Sequence, residues 1–169
     1  KDCEEMLNIM AHSLATRMVN TDIRSLVLGL SGGLDSALAA MVAIRAYKIM
    51  GMTGEGVKPL FTCVSMPSYA TSDDTMNFAR VLGEALNAEF REVPIKEGFM
   101  QMLKDIGHDG VTQDLTYENA QARYRTNLLF DIANMNKALV LGTGDLSEIA
   151  LGWCTFGGDH LSSYNVNAS

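Results

Sequence analysis

Residues 31–36, Ser-Gly-Gly-Leu-Asp-Ser, place two hydroxyls, two glycines and a carboxylate within six positions. They follow an apolar run, Leu26, Val27, Leu28, Gly29 and Leu30, and precede an alanine-rich helical stretch. A chain that leaves a strand on two glycines and enters a helix gathers several backbone N–H groups around one point, and the helix dipole adds partial positive charge there. Such a nest holds phosphate. Gly32 and Gly33 can adopt positive φ and let an anion approach the backbone closely. Ser31 and Ser36 offer hydroxyl donors. Asp35 would repel bare phosphate, but it makes sense as the holder of a magnesium ion that bridges to the phosphates.

Three other groupings carry chemistry. Asn119 and Arg123 are four apart on a predicted helix and share a face. Together they can grip a phosphate, a ribose or a carboxylate. The plainer alternative is a solvated helix with an arginine bonded to a nearby carboxylate. Arg125 lies about 200° round from Arg123 and points elsewhere. Gly142, Thr143 and Gly144 again end a strand and lead into a helix, near Asp145. Glu148, three residues after Asp145, either pairs with Asp35 as a magnesium ligand or completes a capping box. Finally, the loop 152–160 (GWCTFGGDH) sets the sole tryptophan, Trp153, near Phe156 between glycines. These aromatics either stack on a flat ring or anchor the loop by burying Trp153. Cys154 has neither a base partner nor a reason for a lowered pKa, and reads as a small packing residue.

The elements that must position these groups alternate. A helix over 4–20 carries Leu7, Met10, Leu14 and Met18 at spacings of three and four. Strand 26–30 is apolar on both faces, as a central parallel strand is. Helix 35–50 brings Ala37, Ala39, Ala40 and Ala43 close to the sheet. Strand 60–66 ends at Pro67. Thr71 or Ser72 caps a helix over 72–87, with Phe78, Val81, Leu82 and Leu86 facing inward. Strand 89–95 alternates in polarity and carries Pro94, which puts it near an edge. Helices over 96–105 and 117–135, a strand at 138–141, and loop from Gly152 onward complete the pattern. Four strands alternating with helices give an α/β fold: a parallel sheet with helices on both faces. Ligands in such sheets bind at the carboxyl ends of the strands, where 31–34, 66–71 and 142–145 all fall.

The 169 residues suffice for one domain, and 47% hydrophobic residues argue against disorder. A net charge of −7 without a basic run argues against nucleic acid as a partner. No apolar run is long enough for a membrane span. Cys3, Cys63 and Cys154 form no Cys-x-x-Cys pair, and His12, His108 and His160 are scattered, so neither a disulfide framework nor a zinc site is expected. The sequence starts at Lys1 and stops at Ser169 within a loop, which reads as a piece of a larger protein.

The 31–36 motif lacks the lysine of a Walker loop and is not the Gly-x-Gly-x-x-Gly fingerprint. It resembles the PP-loop of ATP pyrophosphatases, which cleave ATP between its α- and β-phosphates and adenylate a substrate. With it, the segments LGLSGGLDSALA, YENAQARYRTNLL, LGTGDLSEIALGWCTFGGDH and YNVNAS resemble the synthetase domain of the glutamine-dependent NAD synthetases, over roughly residues 20–169. The resemblance implies a Rossmann-like, adenine nucleotide α-hydrolase-like fold. It implies a ligase that joins deamido-NAD, ATP and ammonia into NAD, AMP and pyrophosphate, with no protein nucleophile. It implies ATP contacts at Gly29, Leu30, Ser31, Gly32, Gly33, Leu34, Asp35, Ser36 and Thr143. Mg2+ would sit on Asp35 and Glu148. Deamido-NAD would meet Asn119, Arg123, Glu148, Trp153, Cys154, Thr155 and Phe156. Ala37 departs from the threonine of many relatives. A single synthetase domain over 1–169 is then expected, lacking an upstream amidohydrolase (glutaminase) domain and the downstream end of the synthetase domain, in a cytoplasmic homo-oligomer. The alternatives are another PP-loop ligase, similar to GMP synthetase, and a non-catalytic ATP-binding module.

Overall fold

The computed structural model describes residues 2–68 and 73–168, with Asp73 described by its backbone alone. The cap expected at Thr71 or Ser72, and part of the 66–71 loop, lie outside the described residues. In chain order the elements are α1 (Asp2–Thr21), β1 (Ser25–Gly29), α2 (Leu34–Ile49), β2 (Phe61–Ser65), α3 (Asp73–Ala85), β3 (Glu89–Glu92), α4 (Lys96–Asp105), α5 (Leu115–Asn136), β4 (Ala138–Gly142), α6 (Leu146–Leu151) and β5 (Tyr164–Asn165). The strands form one parallel sheet in the order β3-β2-β1-β4-β5. β1 is central. The chain winds outward from it through β2 to β3, then returns to its other side at β4. The switch point of the sheet therefore lies between β1 and β4, directly beyond which the 31–36 loop emerges.

Alternation along the strands builds two cores. Leu26, Leu28 and Leu30 point to one face, where Ala39, Ala40 and Ala43 of α2 and Leu14 and Met18 of α1 cover them. The alanines let α2 approach the sheet closely, and α1 packs over α2. Val27, Val64 and Val140 point to the other face and meet Leu129, Phe130 and Ala133 of α5. A third, smaller cluster ties α4 to α5. Phe99 and Tyr117 meet edge to face there, with ring centroids 5.0 Å apart.

The inward face of α3 differs from the sequence reading. Phe78 and Val81 are exposed, while Ala79, Leu82 and Leu86 face the core. Gly83 lets the Phe90 ring of β3 come close, since a Cβ there would stand 3.0 Å from it. Leu82 and Leu86 thus face inward as expected, and Ala79 rather than Phe78 or Val81 completes the contact face. α5 begins at Leu115, earlier than its apolar pattern suggests, because the Asp114 carboxylate accepts the Tyr117 N–H at 2.9 Å as an N-cap. The stretch after Gly152 also contains β5, whose two residues are too few to register as a strand pattern.

Candidate functional site

The loop between β1 and α2 uses the freedom of one of its two glycines. Gly32 has φ +82, but Gly33 has φ −82 and ψ 166 and serves as the extended N-cap of α2. Only Gly32 needs positive φ. No side chain caps α2, so its first-turn N–H groups are not taken up by a cap, while Asp35 adds a negative charge to the same turn. The two hydroxyls shape the loop itself. Ser36 is buried; its Oγ donates to the Gly33 carbonyl at 3.0 Å and accepts the Ser31 N–H at 3.3 Å. Ser31 Oγ accepts the Gly33 N–H at 3.2 Å and sits 3.2 Å from Ser36 Oγ. Leu34 and Asp35 are exposed on the first turn of the helix.

The turn after β4 stands beside this loop. Gly142 is needed there because β5 runs close by: a Cβ would lie 2.6 Å from Ser162 Oγ and 3.2 Å from the Asn165 Cα. Asn167, just past β5, joins the two loops. Its Nδ2 donates to the Asp35 carbonyl at 3.1 Å and to the Thr143 carbonyl at 2.9 Å. Two carbonyl partners fix the amide orientation, and they leave Oδ1 buried without a partner. Sequence reading did not single out Asn167 as the tie between these loops; the segment YNVNAS was its only signal.

Asp145 and Glu148 form the capping box of α6: the Glu148 N–H donates to Asp145 Oδ1 at 2.8 Å and the Asp145 N–H donates to Glu148 Oε2 at 3.0 Å. The Asp145 and Glu148 N–H groups of this turn are therefore engaged by its own side chains rather than offered to an anion. One Glu148 oxygen is used this way and the other is left over. Among the described residues no three His, Cys, Asp or Glu side chains come together as a metal cage. Two carboxylates on neighbouring turns suit magnesium, which uses one or two carboxylates and completes its octahedron with phosphate oxygens and water.

A cavity of about 440 Å³ opens against these loops, at the carboxyl ends of β1, β2 and β4 on the α5 side. Gly29, Leu30, Ser31, Ser36, Gly142 and Thr143 line its polar end. Val64, Met66, Leu129 and Val140 supply apolar walls suited to a flat ring. Arg125 also lines it, with Nη2 donating to Ser68 Oγ at 3.1 Å. Helical geometry correctly turns Arg125 away from Arg123, but only the packing of α5 on the sheet shows that this direction leads into the cavity.

Asn119 and Arg123 hold the 153–160 loop. Thr155 Oγ1 donates to Asn119 Oδ1 at 3.1 Å, and Arg123 Nε donates to the Phe156 carbonyl at 2.8 Å. The Thr155 N–H donates to Asp159 at 2.7 Å. The alternative of an arginine bonded to a carboxylate thus fails, since Arg123 meets a backbone carbonyl. Burial of Trp153 as a loop anchor fails as well: Trp153 is 77% and Phe156 85% exposed. Cys154 is exposed too and does not pack. Asp159 and Leu161, at the end of this loop, line the same cavity, so the loop and the nest border one space.

A parallel sheet with a strand–nest–helix at its switch point, set against a cavity, is the architecture of the PP-loop, Rossmann-like class of α/β proteins. The NAD synthase family model matches residues 6–166. The chain belongs to the NAD synthase family. It is 42% identical over 173 aligned positions to a glutamine-dependent NAD(+) synthetase of Mycobacterium leprae, covering 99% of this chain and 25% of that protein. The chain therefore spans about a quarter of the length of that relative. Its structure is similar to the NH3-dependent NAD synthetase of Campylobacter jejuni, with a TM-score of 0.85 and 28% identity, covering 100% of this chain and 68% of that one. It is likewise similar to a glutamine-dependent NAD+ synthetase of Acinetobacter baumannii in complex with ADP, with a TM-score of 0.83 and 30% identity over 98% of this chain and 30% of that one.

Proposed function

We propose that this chain is the synthetase domain of a glutamine-dependent NAD synthetase, amidating deamido-NAD with ATP and ammonia. The observation that carries this reading is the Asn167 junction, where one side-chain amide ties the 31–36 nest to the Thr143 turn over a single cavity. ATP would lie with its base between the apolar walls and its phosphates on residues 29–36 and Thr143. Deamido-NAD would reach the same space from Asn119, Arg123, Glu148 and residues 153–156, where exposed Trp153 and Phe156 offer stacking surfaces.

The nicotinate carboxylate attacks the α-phosphorus of ATP. The bond from that phosphorus to the bridging oxygen breaks, and pyrophosphate leaves toward the backbone N–H groups of the nest. Ammonia then attacks the acyl carbon, AMP departs and the extra proton is lost to solvent. Magnesium held by Asp35 and Glu148 supplies charge neutralisation at the phosphates when bound. The residues of the chain position the reactants and stabilise charge, which suffices for phosphoryl-centre chemistry without a nucleophilic side chain. In the protein as encoded, ammonia would come from glutamine through an amidohydrolase domain outside this chain. A cytoplasmic homo-oligomer fits this role. Among the described residues, no helix is long and apolar enough to cross a membrane.

The test is product analysis. The protein as encoded, given ATP, Mg2+, deamido-NAD and ammonium, is expected to yield NAD, AMP and pyrophosphate in equal amounts. Xanthosine monophosphate in place of deamido-NAD should yield nothing; amination of it would assign the chain to a different PP-loop ligase. Binding of ATP without any turnover would leave a nucleotide-binding module instead.

A further inference from the structure

Arg125 stands out among the groups that line the cavity. It is half-buried on α5, it shares the cavity with the apolar Ala122, Leu129, Val64 and Met66, and its hydrogen-bond partner is the Ser68 hydroxyl. Among the described residues no carboxylate pairs with it; the ion pairs recorded there involve other arginines and His108. Asp159 also lines the cavity; its Oδ1 accepts the Thr155 N–H, and no ion pair joins its carboxylate to Arg125. A guanidinium taken out of water without a counter-charge is costly. Burial accordingly pushes its pKa below the ordinary arginine value, although the group stays charged at physiological pH. A structure tolerates such a group where an anionic ligand completes it.

The position of the cavity selects the anion. Arg125 shares it with Ser31, Ser36 and Thr143 at the polar end and with the apolar walls at the other. A nucleotide lying along this space has its neutral base and ribose toward the walls. Its first charged group is the α-phosphate, set between the base and the nest. The β- and γ-phosphates extend into the N–H groups of α2 on the far side.

We propose that Arg125 binds the α-phosphate of the nucleotide and offsets the charge that builds on that phosphorus when the carboxylate attacks. The assignment rests on the ATP reading above and adds a residue to it. The planar fork of a guanidinium matches two phosphate oxygens at once, which a lysine ammonium cannot do. Arg125 then serves recognition of AMP as well as ATP, since the α-phosphate is common to both.

The experiment compares adenosine, AMP and ATP binding by titration calorimetry in the protein as encoded, for the wild type, Arg125→Met and Arg125→Lys. The methionine variant is expected to bind AMP and ATP at least about tenfold more weakly, as loss of a charge-assisted contact does, and to bind adenosine within about twofold of wild type. The lysine variant should fall between, and it carries the test if the methionine variant does not fold. Pyrophosphate formation at saturating ATP should fall in both. Equal weakening of adenosine would put the contact on the base or ribose and overturn the proposal. So would unchanged AMP and ATP affinity, including the case where only deamido-NAD binding is lost. Failure of the wild type to bind ATP at all would sink the underlying ATP reading and this assignment with it.

Discussion

Gly32 is the position in the nest where side-chain substitution meets two obstacles at once. Its φ of +82 disfavours any L side chain, and an added Cβ would stand 2.6 Å from the Thr75 carbonyl oxygen. Gly32→Ala is expected to lower stability by about 1–3 kcal/mol and to weaken ATP binding, both measurable on one sample by thermal melting with and without ATP. Gly33→Ala should be far milder, because its backbone is extended and a Cβ there would meet only Ser31 Oγ at 3.3 Å. The thiols divide just as sharply. Cys63 lies buried in β2, and burial pushes its pKa up to about 12. Cys3 and Cys154 are exposed. A thiol-specific colorimetric reagent at pH 8 should therefore titrate Cys3 and Cys154 in the native chain and reach Cys63 only after denaturation. Fast native reaction of all three would contradict the burial of β2.

Among the elements, the contact between α5 and the 153–160 loop is the one that links the two halves of the proposed site. It consists of the Arg123–Phe156 and Thr155–Asn119 hydrogen bonds, each with a modest net contribution of about 0.5–1.5 kcal/mol. Arg123→Ala should leave the melting temperature nearly unchanged while raising amide exchange in residues 153–160, read by hydrogen–deuterium exchange. Much of this architecture is legible in the sequence. The glycine-broken strand at 29–33 marks the nest, and the strand–helix alternation gives a parallel sheet whose carboxyl ends gather the loops. Less legible are features set by tertiary packing. The orientation of α3 follows from Ala79 and Gly83 fitting against the sheet and β3 together with Leu82 and Leu86, which leaves Phe78 and Val81 outside. Asn167 binds across 132 positions to Asp35, a separation no local pattern encodes. The direction of Arg125 becomes meaningful only once α5 is laid on β1 and β4. Capping-box spacing predicts the bonds of Glu148, but it is silent on whether its second oxygen also serves a metal.

For the molecule as a whole, the buried Cys63 and Tyr47 set an alkaline limit. Burial raises both pKa values above their ordinary ranges, and for each group burial outweighs the other influences. A raised pKa in the fold means that the unfolded chain releases its proton first. The stability these groups contribute is thus complete below their unfolded pKa, 9.0 for the thiol, and for Cys63 is lost as pH rises toward about 12. Denaturant midpoints should hold steady up to pH 9 and then decline, and Cys63→Ala should soften that decline. The proposed site would use two acids presented by adjacent strands, Asp35 by β1 through α2 and Glu148 by β4 through α6. Asp35→Asn and Glu148→Gln remove one negative charge each, and glutamine at 148 can still complete the capping box of α6. Pyrophosphate release from ATP, deamido-NAD and ammonia by the protein as encoded is expected to fall about 10²–10³-fold in each variant with the fold intact; near-normal release by either would separate that carboxylate from the phosphates and contradict the shared site.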